Sequence, residues 1–461
     1  MNTLPPFANW LPRNPDLSQS STRPRALILS SDFPPRTSIG AARWEGFAPF
    51  LADAGWGISV VIEDPNDVAS PDWNRFNELP PDLRVASCKR TRPAWYRLFR
   101  RLRGAKPVTV GGAAAATSLD ADQVGAAPSL AREAVGIAVH AQQARQLARE
   151  FAETASSMCD EHVKVVISSG PAHYVHVSAA QVSRRCRIPH IVDLRDPWTR
   201  VVTPTMIEQL LPDPEMRANE AATLRRAAMI ITNTDAAKSA MQARFPELRD
   251  RIHCIPNGSD VEPVMAPAQW PSVFQIAHAG TLYLDRDPRS FLRAVARVRT
   301  KLNLDSTSMR VVFMGCPARI AGQSLSELAQ EAGIGDLFEE RAPGTREEAR
   351  QLMRESMMAV AFQGATKTQV PAKIFEYVAF PLWLLALVGS DSATADMLAG
   401  SDALIFNIDD EDATARAIED SYSKFRAGEM PRPAGWDGRY SRAKQAARMV
   451  AELKALTVVG G

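Results

Sequence analysis

The sequence has few cysteines, and none is spaced as in a zinc site or a redox pair. Its 461 residues contain five cysteines, an odd number, and no two of them form a CxxC pattern. This scarcity argues against a disulfide framework and against a structural zinc site. We therefore expect a protein of a reducing compartment and predict a cytoplasmic location.

Long apolar runs and a leader sequence are also missing. The most apolar stretch, residues 378–388, is interrupted by Pro381 and falls short of the roughly 20 residues that a membrane-spanning helix needs. Residues 1–24 lack the basic start and apolar centre of a signal peptide, so we predict a disordered polar tail there. The sequence therefore predicts a protein that is soluble or lies on a surface.

The chain has almost no excess charge of either sign. Lys and Arg together number 54 against 52 Asp and Glu, which gives no global reason to expect a nucleic-acid partner. No GxGxxG motif opens the first helix, and this argues against a nicotinamide-dependent dehydrogenase. A 45% hydrophobic content is enough to bury a full core, and the length predicts two or three domains.

Short apolar runs alternate with helical patterns from Arg25 onward, which is typical of βα units that build parallel sheets. Residues 263–272 are rich in proline and small residues and are predicted to link two such domains. We predict α/β domains at residues 25–262 and 263–435. The predicted strands cover residues 26–31, 57–63, 163–169, 190–196, 228–234, 274–280, 309–315, 358–363, 382–388 and 403–408.

Two segments depart from the alternation. Residues 88–129 interrupt the first domain and end in a low-complexity stretch, so we predict a surface insertion. The last segment, residues 436–461, is predicted to be helical because Ala446, Met449 and Leu453 fall on one stripe with Val450.

The first predicted strand ends in SSDFPPRTSIGAAR, in which two prolines precede a small turn and a helix start. Free backbone N–H groups converge at such a turn, and a glycine lets a ligand approach the backbone closely. Gly40 is therefore a candidate ligand contact. The alternative is a glycine that serves only the turn itself, and the residues alone leave both interpretations open.

Six motifs follow one another along the chain: SSDFPPRTSIGAAR, VDLRDPW, ITNTDAAKSAM, CIPNGSD, HAGTLYLDRDP and VPAKIFEYVAFP. Together they resemble the glycosyltransferases of the GT-B fold, in particular the large retaining group often called family 4. The resemblance covers about residues 25–455. It implies two Rossmann-like doubly wound domains facing a central cleft, with the donor bound by the second domain and residues 436–461 returning to the first.

The resemblance also implies an activity. Members transfer a sugar from a nucleotide sugar to a glycan or lipid-linked acceptor, as in surface polysaccharide or glycolipid synthesis, with retention at the transferred carbon. Two alternatives remain: a sugar-nucleotide epimerase or hydrolase, and a catalytically silent binding protein. Many members carry a glutamate where this chain has Thr368, and this departure keeps the silent alternative open. We expect no cofactor beyond the nucleotide-sugar co-substrate.

Sugar transfer requires stabilisation of a departing diphosphate, and without a metal motif the charge must be met by cations and N–H dipoles. Arg286 follows the strand that ends near Gly280, at the edge where open sheets bind ligands. By resemblance this loop approaches the donor phosphates, so we predict Arg286 as catalytic, with Gly280 and Thr281 lining the donor pocket. The alternative is an exposed ion pair of Arg286 with Asp285 or Asp287.

The segment VPAKIFEYVAFP supplies two further candidates. Lys373 and Glu376 stand three residues apart, on one face of a helix. By resemblance Lys373 lies near the donor phosphates and acts in catalysis, and Glu376 accepts hydrogen bonds from the ribose hydroxyls, as a carboxylate does well. An ordinary ion pair between the two side chains is the alternative.

Charged residues end one strand of the first domain. By resemblance, Asp193, Arg195 and Asp196 of VDLRDPW would face the acceptor and bind its hydroxyls. The alternative is that Asp193 and Arg195 pair with each other to fix the turn. His173 is assigned by position to the transferred sugar and to catalysis. A purely structural role for this histidine is the alternative.

The start of the insertion is strongly basic. Residues 88–107 contain eight Lys or Arg and no acidic residue, and Trp95, Leu98, Phe99 and Leu102 would share one helical face. This pattern is typical of an interfacial helix on anionic lipid, so we predict peripheral docking at the inner membrane face. A basic lip whose aromatic residues pack on the domain is the alternative.

Overall fold

A computed structural model describes ten stretches of the chain, and its contacts divide them into two compact units. The first unit comprises residues 1–233, 241–255 and 445–461, and the second comprises residues 234–240 and 256–444. The described stretches are residues 9–10, 22–67, 71–89, 130–198, 214–264, 271–282, 286–315, 319–364, 366–435 and 437–458.

The first unit contains a sheet with eight strands in the described part of the chain. Its order is β1-β4-β3-β2-β5-β6-β7-β8, and all neighbours are parallel except the antiparallel pair β1 and β4. The strands are β1 Asn9–Trp10, β2 Arg25–Ser30, β3 Gly57–Glu63, β4 Arg84–Cys88, β5 Val163–Gly170, β6 His190–Leu194, β7 Met229–Thr232 and β8 Ile252–Cys254. The helices up to this point are α1 Ala42–Asp53, α2 Trp73–Asn77, α3 Leu130–Ser157, α4 Tyr174–Cys186, α5 Pro214–Arg226 and α6 Asp235–Arg244.

The second unit contains a parallel sheet with six strands among its described residues, in the order β13-β10-β9-β14-β15-β16, and a separate hairpin of β11 and β12. The strands are β9 Phe274–Ala279, β10 Met309–Met314, β11 Arg319–Ile320, β12 Gln323–Ser324, β13 Phe338–Arg341, β14 Met358–Phe362, β15 Trp383–Leu387 and β16 Leu404–Phe406. The remaining helices are α7 Arg289–Leu302, α8 Leu325–Glu331, α9 Arg346–Arg354, α10 Ala372–Tyr377, α11 Ala393–Leu398, α12 Glu411–Arg426 and α13 Arg442–Val458.

Each sheet reverses its strand order once. In the first sheet β3 lies on one side of β2 and β5 on the other, and in the second sheet β10 and β14 flank β9 in the same way. Open α/β sheets bind ligands at the carboxyl ends of the strands, where such a reversal separates the loops. We call the carboxyl ends of β2 and β5 the first edge, and those of β9 and β14 the second edge.

Local sequence explains why these elements form. All six residues of β2 and all five of β14 are buried, as expected for strands covered by helices on both faces. Helix α9 begins with a reciprocal capping box, in which Thr345 accepts a hydrogen bond from the N–H of Glu348 and Glu348 accepts one from the N–H of Thr345. The buried strands are the feature that the alternating sequence pattern predicts.

The last helix contributes to the core of the first unit. Ala446, Met449 and Leu453 are fully buried and belong to the same apolar cluster as Trp44 and Phe47 of α1. These three residues form the stripe seen in the sequence. Their burial explains why residues 445–461 group with the first unit.

The unit boundaries differ from the predicted domain boundaries. Residues 256–262 and 436–444 belong to the second unit rather than to the first domain and the terminal helix. Arg442 explains this assignment, because its Nε lies 3.0 Å from Asp260 Oδ1 and its Nη1 donates to Asn257 O at 3.0 Å. These contacts join the two segments to each other.

The predicted disordered tail contains a short strand. Asn9 pairs with Ser87 and Trp10 with Ala86, so that β1 covers one side of the edge strand β4. An edge strand presents unpaired backbone groups, and even a short extended segment satisfies some of them.

Residues 90–129, which include most of the insertion and of the basic segment, lie outside the described residues. Among the described helices, none is long and apolar enough to cross a membrane.

Candidate functional site

The second edge is built around Gly280, which follows β9. This glycine adopts a φ of +134°, and its N–H donates to Met314 O at 2.7 Å. A Cβ atom at this position would lie 2.4 Å from Lys373 Nζ. The backbone angle therefore favours glycine here, and the absence of a side chain leaves room for the lysine amine.

Lys373 extends from α10 to the end of β9. Its Nζ lies 3.1 Å from His278 Nε2, and His278 Nδ1 lies 2.9 Å from the carbonyl oxygen of Val360 on β14. A carbonyl only accepts, so Nδ1 carries the proton of the imidazole and Nε2 accepts from the lysine amine. His278 thus joins β9, β14 and α10.

Electrostatics at the second edge disfavour further positive charge. Burial and the positive charge of Arg286 lower the pKa of Lys373 to about 7. Burial, Lys373 and Arg286 also hold the pKa of His278 well below its usual value. Lys373 thus lies against Gly280 and within reach of the charge of Arg286, and a bound anion would relieve the repulsion between the two cations.

Backbone packing fixes the loop that follows β9. The N–H of Ala279 donates to the hydroxyl of Tyr377 at 2.9 Å, and that hydroxyl lies 3.2 Å from Ala279 O. A Cβ on Gly315 would lie 2.4 Å from Gly280 O and 3.2 Å from the nitrogen of Thr281. The peptide between Gly280 and Thr281 is therefore held between α10 and the end of β10.

Glu376 is half-buried one turn after Lys373 on α10. Its Oε2 lies 3.9 Å from Arg350 Nε, so Lys373 and Glu376 have other partners rather than each other. Asp287, the other proposed partner of Arg286, is bound by Arg289 at 2.9 Å between Nε and Oδ2. Glu376, Lys373 and Asp287 therefore each have a partner other than the one that the sequence suggested. Asp285, the remaining suggested partner of Arg286, lies outside the described residues.

The loop after β14 is held by Gln363. Its side-chain amide donates to the carbonyl oxygens of Thr366 at 2.5 Å and Gln369 at 2.7 Å, and its Oε1 accepts from the hydroxyl of Thr394. Thr368 lies in this loop, and its buried hydroxyl has no hydrogen-bond partner among the described residues. The structure thus places Thr368 beside the second edge with an unused polar atom.

Arg195 and Asp32 form the central ion pair of the first edge. Arg195 Nη2 lies 3.1 Å from Asp32 Oδ2 and donates to Pro171 O at 2.6 Å. A Cβ on Gly40 would lie 2.1 Å from Arg195 Nη1 and 2.5 Å from Asp32 Oδ2. The packing of this ion pair therefore gives Gly40 a structural role. The sequence alone could not distinguish such a role from contact with a ligand.

Asp193 is not placed as predicted. It is fully buried, and Arg43 Nη2 donates to its Oδ1 at 3.0 Å while Trp44 Nε1 and Ser169 Oγ donate to its Oδ2 at 3.0 and 2.8 Å. The assignment of Asp193 to acceptor binding is therefore wrong for this structure, because both carboxylate oxygens are used inside the first unit. The alternative pair with Arg195 is also absent, since that arginine binds Asp32.

His173 lies at the start of α4, and Asp196 is half-buried in the turn after β6. The ring of His173 stacks on Trp198 with centroids 5.3 Å apart, and its Nδ1 is buried with no hydrogen-bond partner among the described residues. Burial and the charge of Arg195 lower its pKa to about 4, so the ring is neutral at pH 7. A neutral imidazole at this edge suits hydrogen bonding to a hydroxyl rather than binding of an anion.

Two more histidines lie behind the first edge. His176 Nδ1 and His190 Nε2 each lie 2.8 Å from the hydroxyl of Ser168. Burial lowers the pKa of His190 to about 3 and that of His176 well below its usual value. In the described part of the chain, no group of three His, Cys, Asp or Glu residues is arranged to hold a metal ion.

The structure thus brings Arg286, Lys373, Gly280 and Thr281 together at the second edge, with Glu376 on the next helical turn. It also adds groups that the sequence analysis did not single out as site residues. Tyr377 and Asp32 support the two edges through hydrogen bonds to residues far away in sequence, and Gln363 holds its own loop. Of these, Asp32 was the easiest to find from the sequence, because it directly follows the predicted strand at residues 26–31.

Neither family models nor curated proteins match this sequence. Solved structures do match. An α,α-trehalose 6-phosphate synthase from Burkholderia multivorans is 13% identical with a TM-score of 0.59, and the match covers 95% of this chain and 98% of that chain. Anabaena HepE, solved in complex with UDP and glucose, is 13% identical with a TM-score of 0.54 over 94% of this chain and 99% of that chain. A sucrose-phosphate synthase from Thermosynechococcus elongatus is 15% identical with a TM-score of 0.51 over 95% of this chain and 98% of that chain.

These neighbours are glycosyltransferases of the GT-B fold, and the matches extend over nearly the whole chain. The chain therefore has the GT-B fold, with one Rossmann-like parallel sheet in each unit. The predicted fold class, GT-B with two Rossmann-like domains, is confirmed.

Proposed function

We propose that this protein is a glycosyltransferase that transfers a sugar from a nucleotide-sugar donor to a glycan or a lipid-linked acceptor. The observation that carries the proposal is the Lys373 amine, which lies against Gly280 at the second edge and within reach of the charge of Arg286. HepE, which shares the fold, has been solved in complex with UDP-glucose. The shared fold and the cationic edge together support a nucleotide-sugar donor.

The residues of the second edge fit the chemistry of the proposed step. As the bond between sugar and diphosphate breaks, negative charge grows on the leaving phosphate oxygen. The Lys373 amine and the Arg286 guanidinium would stabilise that charge, and Gly280 leaves the amine the space that a side chain would otherwise fill. Glu376 would accept hydrogen bonds from the ribose hydroxyls.

We further propose that the reaction is metal-independent and retains the configuration of the transferred carbon. The two cations support the first part, because they supply the positive charge that a metal supplies in other transferases. Retention rests on the sequence resemblance alone. Product analysis by proton NMR would test it, since the two anomers give distinct coupling constants.

The acceptor is proposed to bind at the first edge, where Arg195, Asp196 and His173 lie. Surface polysaccharide or glycolipid synthesis is the proposed context, with residues 88–107 docking on anionic lipid at the inner membrane face. Substituting Arg100 and Arg101 by Glu should abolish binding to anionic liposomes. Unchanged liposome binding would exclude this segment as the anchor.

Acceptor-dependent turnover tests the proposed activity. The purified protein is incubated with UDP- and GDP-sugars, with and without a lipid and oligosaccharide extract, and nucleoside diphosphate release is measured. We expect release that depends on the acceptor and falls at least about tenfold in Lys373→Met, as for loss of a charged hydrogen-bond donor. Equal release without acceptor would indicate a hydrolase, and binding without release would indicate the silent protein that Thr368 keeps under consideration.

A further inference from the structure

We propose that His278 is a positioning residue for the donor site: its neutral imidazole accepts a hydrogen bond from Lys373 and holds that amine over Gly280, where the donor diphosphate would bind. This inference rests on the proposed function and deepens it. It concerns one specific contact, that between His278 Nε2 and Lys373 Nζ at 3.1 Å.

The imidazole of His278 has little freedom to move. The residue is 1% exposed, and its ring centroid lies 5.2 Å from those of Phe313 and Phe362. The hydrogen bond from Nδ1 to Val360 O fixes the rotation of the ring at 2.9 Å. Two phenyl rings and one backbone carbonyl therefore keep Nε2 directed at the lysine.

Lys373, in contrast, has a long flexible side chain. Four rotatable bonds separate its amine from the backbone, and ordering them on ligand binding would cost affinity. The acceptor on His278 orders the amine before the donor arrives. The amine then occupies the space beside Gly280 that a side chain would fill at any other residue.

The position of the imidazole proton fixes which group donates in the contact between Lys373 and His278. Nδ1 of His278 donates to a carbonyl, so Nε2 has a lone pair and only accepts. Burial, Lys373 and Arg286 disfavour protonation of the imidazole, and together they outweigh the backbone contacts with Val360 and Gly280, which favour it. Tyr377 next to this pair has a pKa raised by burial and so remains a neutral phenol, and Glu376 is the nearest acidic residue on α10.

Donor binding should change the protonation of the amine. With a pKa of about 7, part of the Lys373 population is neutral above neutral pH. A bound diphosphate favours the charged form, so the neutral fraction of the Lys373 population takes up a proton from solvent as the anion binds. The UDP affinity of the wild-type protein is therefore expected to fall as the pH rises from 7.5 to 9.

A double-mutant cycle tests whether His278 acts through Lys373. UDP affinity is measured by calorimetry between pH 7.5 and 9 for the wild type, His278→Phe, Lys373→Met and the double variant. Phe fills the aromatic cage without offering an acceptor. His278→Gln restores an acceptor, and Lys301→Met is the matched control, because Lys301 is exposed and pairs with Glu419.

We expect His278→Phe to weaken UDP binding about tenfold, as for a lost charge-assisted hydrogen bond, and to move the pH dependence to lower pH. His278→Gln should recover much of the affinity, and His278→Phe should have no further effect once Lys373 is Met. Equal losses in both backgrounds would show that His278 acts through general packing and would overturn the inference.

A second measurement tests the role of His278 independently of the proposed function. In protein labelled with ¹³C at lysine, the Cε resonance that disappears in Lys373→Met reports the titration of this amine without any nucleotide. A lower lysine pKa in His278→Phe than in the wild type supports the inference, and an unchanged pKa overturns it. Failure of the wild type to bind any nucleotide would instead contradict the proposed function.

Discussion

Asp193 and Lys373 are both charged residues close to the carboxyl ends of parallel strands, but their hydrogen-bond partners differ in kind. Three side chains donate hydrogen bonds to the Asp193 carboxylate, so no acceptor position faces a ligand. Lys373 has one neutral acceptor and a nearby arginine, so its amine gains from an incoming anion. The sequence suggested both residues as site residues, because the arginine that neutralises Asp193 lies 150 positions away.

Removing the charge of Asp193 should destabilise the first unit. Asp193→Asn leaves the buried guanidinium of Arg43 without its counterion, which costs about 3–5 kcal/mol of the free energy of unfolding. Denaturant titration followed by tryptophan fluorescence measures the loss. The control is Glu215→Gln, whose partner Arg145 is 62% exposed, and here we expect a change below about 1 kcal/mol. Equal effects of the two substitutions would contradict a structural role for Asp193.

Gly280→Ala should weaken nucleotide binding. The added methyl group would lie 2.4 Å from Lys373 Nζ at a φ of +134°, so the amine must leave its position. We expect UDP affinity to fall at least about tenfold, with a stability loss of about 1–3 kcal/mol. Gly333→Ala is the matched control, since its φ is +77° but nothing lies within 4 Å. If both variants bind UDP equally well, the proposed place of the donor phosphates is wrong.

The strands and helices of the first edge are joined by polar contacts that no periodic pattern reveals. Helix α4 packs on β5 and β6 through the hydroxyl of Ser168, which lies between His176 and His190. The alternation of apolar runs predicted β5 and β6, and their observed bounds differ from the prediction by one or two residues. The histidine contacts could not be predicted, because they depend on how the helix is rotated against the sheet.

These buried histidines make the first unit sensitive to acid. His173, His176 and His190 all have lowered pKa values when folded but titrate near 6.5 when unfolded, so the unfolded state binds more protons below that pH. Their stabilising contribution is present above pH 6.5 and is lost as the pH falls towards 4, by about 1.4 kcal/mol per pH unit for each histidine. Denaturant titrations at pH 7, 6 and 5 measure the slope. A His190→Gln variant should show a shallower slope, and an unchanged slope would contradict the assignment.

Helix α13 is the element that the sequence predicted best in the C-terminal part, since its apolar stripe is also its buried face. Leu453→Ala removes a fully buried side chain from the core of the first unit and should cost about 2–5 kcal/mol. Lys454→Ala, on the exposed side of the same helix, should change the unfolding free energy by less than about 0.5 kcal/mol. Thermal and denaturant unfolding distinguish the two. Similar values for both variants would show that the helix does not belong to this core.

The sheets of the two units agree with the prediction from the sequence, but the unit boundaries differ from the predicted domain boundaries. Alternating apolar runs predicted both parallel sheets, because buried strands and amphipathic helices leave a local signal. The contacts between residues 256–262 and 436–444 left none, since Asp260 and Arg442 are 182 positions apart. The motif VPAKIFEYVAFP indicated Lys373 as a candidate, and its role stays a prediction. The burial of Asp193 could not be predicted, because Arg43, which binds it, lies 150 positions away.

The central claim is that the second edge binds the nucleotide of a sugar donor. Calorimetric titration of UDP, GDP and their sugar conjugates into the wild-type protein tests it most directly, with Glu376→Ala and the exposed-site control Lys301→Met measured in parallel. We predict tight binding of one nucleotide, a loss of more than about 1 kcal/mol in Glu376→Ala, and no change in the control. Absence of binding by every nucleotide, in a protein that is shown to be folded, would contradict the account.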